Sequence, residues 1–438
     1  MKHSYRYNIL FMMVLMVIIN YIDRGAISYA QEYIIKEYGF GAVEWGAVLG
    51  YFGYGYLFGA LFGGALADKK GPKFVWILIG IGWSFFVVVT AFAGEIGIAL
   101  FGGSAIAGFA VVRIMFGFFE GPTFSTINRT VANWATPRER GFAVSLGLLG
   151  TPLGALLTAP VAVLILSITS WKVMFILLGS LGLIWVIIWS KMFTDLPEQH
   201  KKVTKEELEK IRSMDALLPD EQLVEENEEE KIKWHHFFRN PTLVFNALGY
   251  FAFQYINFLL LTWTPKYLQD EFGFQLSSLW YLGMIPWIGA CFTVLLGGKI
   301  SDYLRMKTGS LRIARSGLAV VSLLLTAICF MLIPTANTVV GVMVLMAIGN
   351  AFNSLPNSVY WSVIIDTEPN KAGTYGGITH FITNTATIIA PTLTGFLVIS
   401  FGYSSMFTAA AVASVIGMVA MIFVKPGKRT KKNIATIS

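Results

Sequence analysis

Four charged side chains lie deep within long apolar stretches of the sequence: Asp23, Arg24, Arg113 and Glu120. A charge at the middle of a bilayer costs at least ~2.5–3.5 kcal/mol on insertion scales, so such residues usually serve a function. Arg113 and Glu120 are seven residues apart, about two helical turns, so they share one helix face roughly 10 Å apart, too far for an easy ion pair. Arginine matches a carboxylate in two hydrogen bonds, and a buried carboxyl group can load and release a proton. We therefore expect an arginine to bind an anion, and Asp23 and Glu120 to carry protons.

The composition is that of a membrane protein. Hydrophobic residues make up 55% of the 438 residues and charged residues only 13%, whereas a soluble chain carries about 25% charged residues. The net charge of +7 does not indicate nucleic-acid binding, because the basic residues lie mainly in short loops between apolar runs. Cys291 and Cys329 lie in apolar runs, which argues against a disulfide framework or a zinc cluster. No nucleophile triad or phosphate-binding loop is present, so we expect no enzyme, metal or cofactor.

The predicted fold class is an all-α membrane protein with twelve transmembrane helices, since a span needs about 20 mostly apolar residues. The first apolar run, from about Asn8 to Ala30, is too long for a signal peptide, and we interpret it as a permanent span. Lysine and arginine are concentrated in alternate loops, which predicts that both termini are cytoplasmic. The twelve runs are centred near residues 19, 55, 84, 118, 155, 182, 255, 289, 324, 351, 386 and 414.

The two halves of the chain repeat. Gly64-Ala-Leu-Ala-Asp68 follows span 2, and Gly298-Lys-Ile-Ser-Asp302 follows span 8, 234 residues later. Duplicated six-helix halves are an architecture of secondary transporters, in which the substrate binds at mid-membrane. We predict pseudo-symmetric six-helix bundles at 1–194 and 241–438, the second with a basic cytoplasmic tail, and a cytoplasmic linker at 195–240.

The halves differ in their buried charges. At an offset of 232, the positions that correspond to Arg113 and Glu120 are Leu345 and Phe352, both apolar. Charges that merely held the fold together would be expected in both halves. Their restriction to the first half favours a role in transport over the alternative, a buried charge network that only stabilises the fold.

The polar linker at 195–240 contains Lys201-Lys202 and an acidic run from Glu225 to Glu230. We interpret it as a linker with one or two amphipathic surface helices, and a regulatory or partner-binding role is the alternative. His235-His236 resembles half a metal site, but no convincing ligand set accompanies it.

One loop motif resembles the signature of the major facilitator superfamily. It is Gly64-Ala-Leu-Ala-Asp68-Lys69-Lys70-Gly71-Pro72-Lys73, and it resembles the loop between helices 2 and 3 of that family. In the family this loop is thought to hold the outward-facing state closed on the inside, and Asp68 can cap a neighbouring helix. The residues implied in this conformational role are Gly64, Asp68, Lys69, Gly71 and, in the repeat, Asp302.

Further motifs look like the anion:cation symporter family, which includes bacterial hexonate and hexuronate symporters. They are Ile19-Asn20-Tyr21-Ile22-Asp23-Arg24, Arg113 with Glu120-Gly121-Pro122, Tyr255 with Tyr267-Leu268, and Asn384 with Pro391.

This resemblance implies roles for individual residues. Asp23 and Glu120 fall on the family's proton sites and Arg24 and Arg113 on its essential cations. Tyr56 and Asn384 match substrate-contact positions, and Thr151 replaces a substrate-contacting glutamine. Gln254 and His380 are further polar candidates within spans, without a clear family match. The predicted substrate-binding residues are Arg24, Tyr56, Arg113, Thr151, Gln254, His380 and Asn384.

Taken together, these features predict proton-coupled import of a small organic anion, a hexonate or hexuronate, by a monomer in a bacterial cytoplasmic membrane. Two alternatives are a proton-driven antiporter that exports small molecules and a sodium-coupled organic anion transporter. The exporter is disfavoured because Gly147-Leu-Leu-Gly150-Thr-Pro152-Leu-Gly154 only approximates the glycine- and proline-rich signature of exporters. Sodium coupling stays open, since a carboxylate can serve either ion.

Overall fold

The computed structural model describes residues 4–135, 140–212, 234–368 and 372–427, and its regular structure in these ranges is helical. The helices up to the linker are α1 (Arg6–Tyr38), α2 (Ala42–Lys70), α3 (Pro72–Thr90), α4 (Ala93–Leu100), α5 (Ala105–Glu120), α6 (Thr123–Trp134), α7 (Arg140–Ile168), α8 (Trp171–Met192) and α9 (Lys205–Arg212).

The helices that follow are α10 (His236–Arg239), α11 (Pro241–Phe272), α12 (Leu276–Leu282), α13 (Ile285–Thr308), α14 (Leu318–Leu332), α15 (Val339–Ser354), α16 (Asn357–Thr367), α17 (Ala372–Asn384), α18 (Ala386–Phe401) and α19 (Tyr403–Phe423).

Many of the helices are long and apolar enough to cross a membrane. Within the described ranges, eleven helical segments are long and apolar enough to cross a membrane. The remaining predicted span coincides with α2, a helix of 29 residues. Two spans are interrupted at matching places, because Pro122 precedes α6 and Pro356 precedes α16, and proline cannot donate the backbone hydrogen bond that would continue the preceding helix. The predicted all-α class is confirmed.

The chain divides into two compact units. Unit 1 comprises Met1–Glu230 and Leu268–Met284, and unit 2 comprises Lys231–Tyr267 and Ile285–Ser438. The predicted boundaries at 194 and 240 stay a prediction. The acidic run from Glu225 to Glu230 and the basic tail beyond residue 427 lie outside the described residues, whereas α9 and α10 provide short helices within the predicted linker.

In unit 1, glycines allow α2 and α5 to pack backbone against backbone. A Cβ atom on Gly55 would lie 1.7 Å from the carbonyl oxygen of Ile114, and one on Gly117 would lie 2.0 Å from that of Phe52. A Cβ atom on Gly121 would lie 2.4 Å from the carbonyl oxygen of Tyr56. Small residues at such contacts are how transmembrane helices approach each other closely. The contact sets the aromatic side chains of α2 directly against α5.

At the ends of unit 1, carboxylates cap helices from far along the chain. Glu207 of α9 accepts hydrogen bonds from the backbone N–H groups of Tyr5 and Arg6, both at 3.0 Å, at the start of α1. Asp195 accepts from the backbone N–H of Lys73 at 2.7 Å, at the start of α3. Negative charge is favourable at both places, because the free N–H groups and the dipole make a helix N-terminus positive.

The predicted loop motif is partly visible. Gly71 links α2 to α3 with φ 84°, a left-handed conformation that favours glycine, and Lys69 is exposed. The side chain of Asp68 lies outside the described residues, so its capping role stays a prediction. In unit 2, Asp302 pairs with Arg315 at 3.1 Å, and Arg315 also pairs with Asp366 at 3.0 Å.

Replacing Gly117 by alanine is expected to destabilise the protein by about 1–3 kcal/mol, because the new methyl group would collide with backbone that cannot move aside. The measurement is the Tm of purified protein in detergent. Gly377→Ala is the matched control, since a Cβ there meets nothing within 4 Å. Equal Tm values for both variants would show that the α2–α5 contact is looser than described.

Candidate functional site

The centre of unit 1 contains an ion pair between α1 and α5. Nη2 of Arg24 donates to Oε1 of Glu120, and both side chains are almost fully buried. The two residues are 96 positions apart in sequence, so the pair forms only when the two helices lie together. In a water-poor interior, attraction between opposite charges is much stronger than at the surface. Glu120 thus pairs with the arginine of a different helix, and its second oxygen, Oε2, has no hydrogen-bond partner in the described part of the chain.

Aromatic rings surround the guanidinium group of Arg24. Its Cζ atom lies 4.6 Å from the ring centroid of Tyr21, 4.6 Å from that of Phe52 and 5.0 Å from that of Tyr56. The electron-rich faces of such rings attract a cation, most strongly where water is excluded. The predicted contact residue Tyr56 therefore lies against the predicted cation Arg24.

Arg113 is the second buried cation of this site. Its guanidinium carbon lies 5.3 Å from the ring centroid of Phe52 and 5.5 Å from that of Phe116. Phe52 therefore contacts both arginines, which makes the two guanidinium groups neighbours across one side chain. Among the described residues, Arg113 has no ion pair, and its Nε has no hydrogen-bond partner, although only 2% of the residue is exposed. An arginine buried in this way lacks the anion that would normally balance it.

Asp23 has a neutral partner. The indole Nε1–H of Trp83, on α3, donates to Oδ2 of Asp23 at 2.8 Å, and both residues are 0% exposed. The other oxygen, Oδ1, has no donor, and no ion pair joins Asp23 to a cation in the described ranges. The two predicted proton carriers therefore differ: Glu120 is paired with an arginine, and Asp23 is bonded to an indole.

The remaining predicted contact residues fall into the two units separately. Thr151 of α7 is buried in unit 1, within hydrogen-bonding reach of Tyr21. In unit 2, Nε2 of Gln254 donates to Oδ1 of Asn384 at 3.4 Å, and Nδ2 of Asn384 donates to the backbone oxygen of His380 at 2.8 Å. The structure thus joins Gln254, Asn384 and His380 into one polar group on α11 and α17.

Three residues of the site were missed in the sequence: Tyr21, Phe52 and Trp83. Phe52 precedes Tyr56 by one helical turn, so helical spacing could have identified it. Nothing in the sequence links Trp83 to Asp23, because the contact joins two helices. Within the described residues, no group of three or more His, Cys, Asp or Glu side chains could hold a metal ion.

Comparisons with known proteins are consistent with each other. The profile of the Major Facilitator Superfamily matches residues 13–384 and 308–438. The hexuronate transporter of Bacillus subtilis is 33% identical over 414 residues, covering 93% of this chain and 92% of that protein. The probable sulfoacetate transporter of Cupriavidus necator is 31% identical over 424 residues, with coverages of 96% and 94%. The D-galactonate transporter of Escherichia coli is 29% identical over 424 residues, covering 95% of each chain.

A solved structure has the same fold. The crystal structure of a bacterial homolog of the human lysosomal transporter Spinster, inward-facing and unoccupied, matches with a TM-score of 0.69. The match covers 97% of this chain and 96% of that chain at 16% sequence identity. At this identity the likeness concerns the fold alone.

Replacing Arg24 by methionine is expected to destabilise the protein by about 3–5 kcal/mol, because it leaves the Glu120 carboxylate buried without its cation. Adding Glu120→Met to this variant should restore most of the loss. The readout is the free energy of unfolding in detergent, and the exposed pair Arg212–Glu198 is the control, worth less than about 1 kcal/mol. A double variant as unstable as Arg24→Met would contradict the assignment.

Proposed function

Because the chain belongs to the major facilitator superfamily, whose matched relatives are transporters and not enzymes, we propose that it is a proton-coupled symporter. It imports a small organic anion, a sugar acid of the hexonate or hexuronate class, by alternating access. The names of the relatives support this class, since hexuronate, sulfoacetate and D-galactonate are all carboxylates. The chain acts as a monomer in a bacterial cytoplasmic membrane, with both termini cytoplasmic and without nucleic-acid partners.

The observation that carries the proposal is the unbalanced cation Arg113. A buried guanidinium group is costly without an anion, and a carboxylate can satisfy it through two parallel hydrogen bonds. The aromatic contacts with Phe52 and Phe116 hold the guanidinium group in place and leave its N–H donors available to a carboxylate. Arg113 therefore binds the carboxylate of the substrate.

Coupling to protons follows from the pair between Arg24 and Glu120. When Glu120 is ionised, it forms an ion pair with the neighbouring Arg24. When Glu120 takes up a proton, its attraction to Arg24 falls, and Arg24 becomes available to the anionic substrate beside Arg113. Proton and substrate therefore favour each other's binding, which is the condition for symport. Asp23 provides a second carboxyl group for a proton on the same helix as Arg24.

The polar group of unit 2 supports a hydroxylated substrate. Gln254, Asn384 and His380 offer amide and imidazole donors and acceptors, and hydroxyl groups can use both kinds. The proposal keeps the prediction that these three residues of unit 2 contact substrate.

Proteoliposomes that enclose a pH-sensitive dye test the function. We expect at least one of galactonate, gluconate, glucuronate or galacturonate to trigger inward proton flux when added outside. Arg113→Lys should weaken this response at least tenfold, because a lysine cannot form the two-pronged bond to a carboxylate. Arg315→Lys is the control, a buried arginine of unit 2 that already has acidic partners.

The outcomes separate the candidate functions. Anion uptake that depends on sodium and moves no protons would favour a sodium-coupled organic anion transporter. Proton flux triggered only by cationic drugs would favour an exporter. Either result would overturn proton symport.

Replacing Glu120 by glutamine is expected to abolish uphill uptake, by at least about 100-fold, while exchange of labelled for unlabelled substrate continues. The glutamine keeps the size of the side chain but can neither bind a proton nor occupy Arg24 as an anion. Uptake against a gradient and exchange at equilibrium are measured in the same proteoliposomes. Uphill accumulation that survives in Glu120→Gln would remove Glu120 from the coupling mechanism.

A further inference from the structure

The contact between Trp83 and Asp23 determines how this carboxyl group can hold a proton. An indole N–H is a donor and has no acceptor, so the oxygen that it contacts must act as an acceptor. That oxygen is Oδ2, at 2.8 Å from Nε1 of Trp83. A proton on Oδ2 would weaken this bond, because the hydroxyl oxygen of a carboxylic acid is a poorer acceptor than its carbonyl oxygen. The proton of a neutral Asp23 therefore has its place on the other oxygen, Oδ1.

The surroundings of Asp23 contain few other groups that could choose between its oxygens. The charged group that acts on it is Glu120 of α5, which is itself ion-paired with Arg24. The helices α3 and α8 carry charged residues only near their ends, at Lys73 on α3 and at Lys172 and Lys191 on α8. In the described part of the chain, Oδ1 has no hydrogen-bond donor.

We propose that Trp83 is a positioning residue that occupies Oδ2 of Asp23, so that the coupling proton is taken up and released at Oδ1. The inference rests on the proposed function, in which Asp23 carries a proton. Oδ1 gains the proton when the carboxylate becomes a carboxylic acid and loses it in the reverse step, while the bond from Trp83 persists in both states.

Packing holds the indole in its orientation. Trp83 is fully buried, and a Cβ atom on Gly182 of α8 would lie 3.3 Å from its ring and 2.3 Å from the hydroxyl of Ser84. A Cβ atom on Gly80, one turn before Trp83, would lie 2.4 Å from the side chain of Val186 of α8. Because glycines let α8 approach α3 this closely, the indole has little room to turn away from Asp23.

Replacing Trp83 by phenylalanine removes the donor and keeps an aromatic ring. Without the indole donor, the carboxylate form of Asp23 loses a hydrogen bond that stabilises its charge, so the pH at which uphill uptake is half-maximal should move upward by about one unit. Trp76→Phe is the matched control on the same helix, because Trp76 is also fully buried and donates to the uncharged hydroxyl of Thr130 at 3.0 Å. An unshifted profile, or an equal shift in Trp76→Phe, overturns the inference.

Infrared difference spectroscopy of the unsubstituted protein gives a second test that does not depend on the folding of a tryptophan variant. Asp23→Asn identifies the C=O band of the protonated Asp23, and this band should have the lowered frequency of a carbonyl that accepts a hydrogen bond. A band at the frequency of an unbonded carboxylic acid overturns the role of Trp83.

The two proposals can fail separately. Uphill uptake that persists in Asp23→Asn would contradict proton transport by Asp23 itself. Loss of uphill uptake in Asp23→Asn together with an unshifted Trp83→Phe would leave symport intact and overturn only the positioning role.

Discussion

The cost of burying charge is the constraint on which the site of unit 1 depends. Removing an ion from water costs several kcal/mol even after the protein relaxes, and the attraction of a partner offsets this only with good geometry. Arg24 and Glu120 meet this condition across the contact of two helices. The pair therefore forms only when α1 and α5 keep a fixed distance and orientation. The close packing of α2 on α5 through Gly55, Gly117 and Gly121 supplies part of that rigidity.

The charges of the site are only partly balanced. Of two arginines and two carboxyl groups, one ion pair is formed, and among the described residues Arg113 and Asp23 each lack an ion-pair partner. The ring of Phe52 contacts both arginines, which lowers the cost of burying the unpaired cation without neutralising it. Such an arrangement is poor as a means of stabilising a fold. It suits a protein in which an anion and protons complete the balance when they bind.

Outside the site, acidic residues stabilise the ends of helices. Glu207 and Asp195 cap the N-termini of α1 and α3, where the helix supplies positive charge, and Glu207 also lies 3.9 Å from Nη1 of Arg6. In unit 2, Arg315 instead joins Asp302 and Asp366 as an ion-pair network. The segment that follows the sixth span is thus attached to unit 1 through α9, whose Glu207 lies about 200 residues from the backbone it caps.

The sequence by itself determined the membrane class, the positions of the spans and the superfamily, and the match to the family profile confirms the superfamily. It also identified Asp23, Arg24, Arg113 and Glu120, because a charged residue within an apolar run can be recognised from the sequence without the tertiary structure. Their pairing was decided only by the tertiary structure. Arg113 and Glu120 share a helix but are too far apart along its axis, so Glu120 pairs with Arg24 from a helix 96 residues away.

Other partners depended even more on the tertiary structure. Trp83 and the capping Glu207 carry no local pattern that distinguishes them from other buried aromatic residues or from other acidic residues of a polar linker. Their roles arise because helix packing places one atom of each within bonding distance of a group far away in the sequence. Spacing along a single helix predicts which side chains share a face. Which face meets which is decided by the packing of all the helices together, where glycines let backbones touch and buried charges must find a partner.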